Sequence, residues 1–144
     1  MTEWPEGSRA LVDSARVARL ATADRNAVPH VVPICFVVVR ERLYSIVDAK
    51  PKRRPASLKR LRNIAENPRV AVLVDRWEED WSRLTWVMLR GRAMVVTDGG
   101  ARETALAALR AKYSQYRDAV FTPDLNPLIG VDIERVSVWR ADAW

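Results

Sequence analysis

The chain has 144 residues, 49% of them apolar, and its 24 basic and 18 acidic side chains give a net charge of +6. That length holds one domain with a real core and leaves no room for two, and the apolar content excludes a disordered chain. A single cysteine, Cys35, excludes an internal disulfide and a multi-cysteine metal site, and a single histidine, His30, argues against zinc held by its usual ligands.

Met1 to Arg9 is polar and lacks the apolar h-region of a signal peptide. No apolar run approaches the ~20 residues of a membrane-spanning helix. The expectation is a cytoplasmic protein of one domain, residues 1–144. A short helix follows Pro5 and Gly7, with Ala10, Leu11 and Ala15 on one side. Ala18 to Thr22 reads as a strand, and Asp24, Arg25 and Asn26 as a turn. Val28 to Val39 is rich in β-branched residues and reads as one long strand, with Pro29 and Pro33 marking an edge or a bulge. Leu43 to Val47 is the third strand of the meander.

Leu58, Leu61, Ile64 and Ala65 recur at helical spacing, which predicts a helix over 56–66, stopped by Asn67 and Pro68. Val70 to Val74 and Arg83 to Thr97 are strands, with Gly91 as a bulge or a close backbone approach. Ala101 to Lys112 is a helix with Leu106 and Leu109 inward and Thr97 or Asp98 at its cap. Residues 117–128 form an irregular loop, and Val131 to Trp139 is the last strand. The order is α-β-β-β-α-β-β-α-β. Its connections are too short for most parallel crossovers, so the fold class is mainly β with flanking helices (α+β), a small antiparallel barrel.

Val70 to Val74 and Leu84 to Leu89 are nearly continuous apolar runs. A strand with one wet face alternates polar and apolar residues. The outer face of these strands therefore needs cover, from a second copy in a homodimer or from the chain's own helices.

The segment Lys50 to Arg62 holds seven basic residues and no acidic one, and it stands where a strand ends and a helix is about to start. Free N–H groups and the positive dipole end at a helix start, together with Lys and Arg donors, suit a phosphate. The plainer reading is a solvated basic face. Six tryptophans are many for this length, and Trp77 and Trp81 sit in a polar connection. They either cap a planar ligand or pack against a partner subunit. Cys35 reads as a packing residue, because one histidine leaves no Cys-His nucleophile system to name. No Ser-His-Asp pattern, carboxylate pair or Gly-rich phosphate loop is present. Any redox chemistry would fall to a cofactor.

Arg19 to Thr22, Pro29 to Pro33, the basic turn, Asn67 to Val70 and Gly91 to Ala93 fall in an order that resembles the pyridoxamine-phosphate-oxidase-like split barrels. Asp48 to Arg53 and Asp75 to Trp81 are similar to the actinobacterial deazaflavin-dependent branch. The resemblance implies a six-stranded, FMN-binding-like split β-barrel, a homodimer with two cofactor sites at its interface. It implies that Ile46, Val47 and Asp48 line the cofactor and that Lys50, Lys52 and Arg53 hold its phosphate. Trp86 would contact the ring, Arg19 and Leu20 would pass beside it, and Trp77 would stack near the open side. Pro33, Ile34 and Cys35 would meet the ring through backbone groups. The C-terminal signature for pyridoxal phosphate is absent from Val138 to Trp144, which argues against vitamin B6 oxidase activity.

The resemblance thus implies coenzyme F420 as cofactor, with FMN as the alternative. It implies a reductase passing a hydride to a small electron-poor acceptor, Tyr44, Tyr113 or solvent supplying a proton. A non-catalytic F420 carrier uses the same residues. Nucleic acid is disfavoured as a partner because no aromatic residue interleaves the basic run, and no stable membrane association is expected.

Overall fold

Cys35 and Phe36 set the strand count. The computed structural model describes residues 2–48 and 58–141. Within them the chain forms α1 (Ser8–Ser14), β1 (Ala18–Ala23), β2 (Pro29–Ile34), β3 (Val37–Val39), β4 (Arg42–Ile46), α2 (Lys59–Glu66), β5 (Arg69–Arg76), β6 (Thr85–Val95), α3 (Gly99–Lys112) and β7 (Leu128–Arg140). The strand expected over Val28 to Val39 is two strands, so the sheet has seven strands rather than six. The break has a physical cause. At Cys35 and Phe36 the backbone bonds to side chains instead of to a neighbouring strand. Ser45 Oγ donates to Cys35 O at 2.8 Å, and Phe36 N donates to Tyr113 Oη at 3.0 Å.

The strand order is β2-β1-β5-β6-β7-β4-β3, with every pairing antiparallel. β2 and β3 are neighbours in sequence yet stand at opposite ends of that order. The three Cα–Cα steps from Ile34 to Val37 span at most ~11 Å. The sheet must therefore curl until its two edges stand beside each other, giving an antiparallel half-barrel. The edge position of β2 tolerates Pro29 and Pro33, which have no N–H to offer a ladder.

The barrel interior is filled by Leu20, Phe36, Leu43, Val47, Val72, Val74, Val87 and Leu89, all fully buried. Val12 of α1 and Leu61 and Ile64 of α2 pack onto the same core. A second core lies outside β4, where Ala105, Leu106 and Leu109 of α3 cover Tyr44 and Ile46. This gives β4 apolar neighbours on both faces. Asp98 caps α3 by accepting from Ala101 N at 3.2 Å. At Gly91 the β6–β7 register slips, and an added Cβ would sit 2.0 Å from Asp132 O, so the glycine permits a close backbone approach.

The outer faces of β1, β5 and β6 are covered less completely. Along β5, Val70, Val72 and Val74 are buried, whereas Ala71 and Leu73 between them are partly exposed. Among the described residues no helix is long and apolar enough to cross a membrane.

Candidate functional site

The Cys35–Phe36 crossing, the residues after β4 and the end of α3 meet at one rim of the barrel. Tyr113, which follows α3, ties them together. Its hydroxyl accepts from Phe36 N at 3.0 Å, with Arg16 O at 2.9 Å and Phe36 O at 3.1 Å as acceptors for its proton. A 3-10 turn, Ser114–Tyr116, then places Tyr116 opposite Asp48, and Tyr116 Oη donates to Asp48 Oδ2 at 3.4 Å. Around these residues lies a cavity of about 740 Å³, lined by Arg16, Cys35, Asp48, Lys112, Tyr116 and Arg117 among others.

Lys112 lines it together with two further cations, Arg16 and Arg117. The ammonium nitrogen stands 3.9 Å from the Phe36 ring centroid and 5.4 Å from that of Tyr113, a cation–π arrangement. Among the described residues it has no carboxylate oxygen within 4.0 Å. Burial, and then the charge of Arg16, push its pKa down to about 8, while Asp13 and Cys35 pull the other way. Burial and the facing Asp48 carboxylate push the Tyr116 hydroxyl well above its ordinary range. Burial also raises Tyr113.

The residues expected from sequence fall into separate groups. Cys35 and Asp48 are exposed at the cavity, so Cys35 is not the packing residue expected. The strand break at this crossing turns its side chain out of the core. Leu20, Ile34, Ile46 and Val47 point into apolar cores and leave a ligand only their backbone. Arg19 is exposed on the outer sheet face opposite Pro33, and Trp86 stands on β6 between Asp75 and Trp139. Trp77 and Trp81 are 63% and 66% exposed and meet edge to face at 6.2 Å. Lys50, Lys52 and Arg53 lie outside the described residues. Further along the basic run, Lys59 pairs with Asp24 at 3.4 Å. Arg60 is lowered chiefly by burial, with Asp48 acting against that.

Sequence reasoning missed Arg16, Lys112, Tyr116 and Arg117. A cation in the last turn of a helix is ordinary, so Lys112 gave no signal of its own. The two tyrosines just after α3 were the available clue. Of the proton sources expected, Tyr44 is buried beneath α3 and the Tyr113 hydroxyl is committed to backbone partners. No group of three His, Cys, Asp or Glu able to hold a metal occurs among the described residues.

The chain matches the sequence model described as Pyridoxamine 5'-phosphate oxidase over residues 5–140. No curated protein matches it in sequence. Among solved structures it is similar to a conserved hypothetical protein from Mycobacterium tuberculosis, with a TM-score of 0.74 at 18% identity, covering 96% of this chain and 86% of that one. It is similar to an FAD-binding protein from Mesorhizobium loti, with a TM-score of 0.66 at 23% identity over 90% and 89% of the two chains. It is also similar to a haem storage protein from Vibrio cholerae, with a TM-score of 0.69 at 15% identity over 92% and 90%. The curled seven-stranded sheet agrees with a family match that runs through every strand, and the chain belongs to the pyridoxamine 5'-phosphate oxidase family.

Proposed function

We propose that this chain is an oxidoreductase that binds the deazaflavin coenzyme F420 and passes a hydride to a small electron-poor organic acceptor. The observation that carries this reading is the cavity of about 740 Å³ where Cys35 and Asp48 meet Lys112 and Tyr116. Its volume falls within the ~300–1,000 Å³ of small-molecule sites, and Arg60 is coupled to Asp48 at its edge. An exposed carboxylate, an aromatic floor and neighbouring cations fit a planar ring system with a phosphate tail. The backbone of Pro33 to Cys35 and of Ile46 to Asp48 would hold the ring edge, and Lys50, Lys52 and Arg53 its phosphate. When reduced and bound, the cofactor supplies the hydride. The protein's own part is to orient the two rings and exclude water.

A second copy of the chain completes the site in this reading. Val31 is 59% exposed on the outer face of β2, and Leu73, Trp86 and Met88 are partly exposed on β5 and β6. Covering such a face favours a C2 homodimer.

FMN in the same cleft is the second reading, favoured by the likeness to an FAD-binding protein. Titration of the purified chain with F420 and with FMN, read by tryptophan fluorescence, separates the two. Saturable quenching by F420 alone, followed by acceptor-dependent reoxidation of the reduced form, is the expected result. Quenching without turnover would make the chain a carrier, and quenching by neither cofactor would overturn both readings.

A further inference from the structure

The half-buried ammonium of Lys112 faces a ligand-sized cavity without a carboxylate partner of its own among the described residues. The titratable groups around it are Asp13 on α1, Arg16 before β1 and Cys35 after β2. Asp48 and Arg117 line the same cavity, and the Tyr116 hydroxyl is directed to Asp48. The phenyl ring of Phe36 lies directly under the nitrogen at 3.9 Å. Phe36 itself is fully buried, but Tyr113 and Tyr116 line the cavity beside the ammonium, so one wall is aromatic and one pole cationic. That combination recognises a flat molecule carrying negative charge on an oxygen at its edge.

We propose that the Lys112 cavity is an oxyanion site for planar conjugated ligands, phenolates and enolates, in which the ammonium holds the negative oxygen and the Tyr113 and Tyr116 rings line the wall beside it. As a substrate site this rests on the redox reading above. When a conjugated carbonyl compound accepts a hydride at its β-carbon, a C–H bond forms there. The carbon–carbon π pair shifts toward the carbonyl, and the oxygen becomes negative. A solvent proton later completes the product at the α-carbon. Lys112 stabilises that oxygen, because a fixed charge already aimed at the place where negative charge develops needs no reorganisation at that moment.

Binding of an anion also ends the ammonium's isolation. A bound oxyanion raises the lysine's proton affinity, so ligand binding near pH 8 is accompanied by proton uptake.

The test uses 4-nitrophenol, whose phenolate form is coloured, as probe with the purified 144-residue chain. At a pH where the free probe is mostly neutral, wild-type protein should increase the phenolate band saturably. Lys112→Met should weaken this at least tenfold, whereas Lys112→Arg should stay within about threefold of wild type. Melting curves of both variants confirm that they are folded. No saturable band with wild type, or an equal band with Lys112→Met, overturns the proposal. F420 is titrated separately by tryptophan fluorescence. F420 binding without the phenolate band rejects this site and leaves the redox reading intact. The band without F420 binding rejects the redox reading and keeps the oxyanion site.

Discussion

Arg19 of β1 reaches across the ladder to Asp75 of β5, Nη1 to Oδ1 3.1 Å, and Asp75 stands opposite Trp86 of β6 on the same face. An ion pair thus lies beside an aromatic residue on the part of the sheet that the helices do not fully cover. In a lone subunit such an exposed pair contributes ~1 kcal/mol or less.

If a second copy covers this face, the pair matters far more to assembly than to folding. Arg19→Glu would set two acids side by side beneath the partner. Sedimentation should then show a dimer for wild type and at least a tenfold weaker dimer for the variant, with circular dichroism unchanged. A wild-type monomer at micromolar concentration would remove the second copy from the site.

The basic turn is the next test. Charged hydrogen bonds contribute ~1.5–3 kcal/mol each, and about 1.4 kcal/mol is one decade in affinity. The double variant Lys52→Ala, Arg53→Ala should bind F420 at least tenfold more weakly. Affinity for a phosphate-free analogue of the ring should change much less, and the melting temperature should hold. Equal losses for both ligands would return the segment to a solvated face.

Much of this architecture was readable in the chain. The β-branched runs, Gly91 and Asp98 marked the strands, the close approach and a helix cap that the structure contains. The break at Cys35 and Phe36 was not readable, because it depends on Ser45 and on Tyr113, the latter 77 residues from Phe36. Local β propensity ran straight through it. The cavity was hidden for a related reason. Arg16, Cys35, Asp48 and Lys112 come from four separate places in sequence, and only barrel closure and the docking of α3 assemble them.

Tyr113 should behave as a fastener rather than as a proton donor. Tyr113→Phe removes the acceptor of the buried Phe36 N–H and the donor to backbone carbonyls. An unsatisfied buried group costs ~1–3 kcal/mol, so urea unfolding should show a loss in that range. Loss of turnover with unchanged stability would instead make the hydroxyl a reacting group.

Lys112 also predicts a dependence of stability on pH, and the sign follows from its depressed pKa. The unfolded chain holds this proton up to its ordinary value of 10.5, whereas the folded protein releases it near 8. Between those values the unfolded state binds more protons, so this group's contribution makes the fold more stable as pH rises. Below about 8 the lysine is charged in both states, and its desolvation destabilises the fold by a constant amount. The side chain is only half-buried, so solvent screening reduces that penalty to on the order of 1 kcal/mol. Lys112→Met should therefore melt higher than wild type at pH 7. The difference should shrink steadily between pH 8 and 10.5 as wild type loses its charge. Melting curves of both proteins across that range, at one ionic strength, give the comparison. A gap that stays constant with pH would mean that the methionine merely packs better. A variant that melts lower at pH 7 would mean that the contact of the ammonium with Phe36 outweighs the cost of burying its charge.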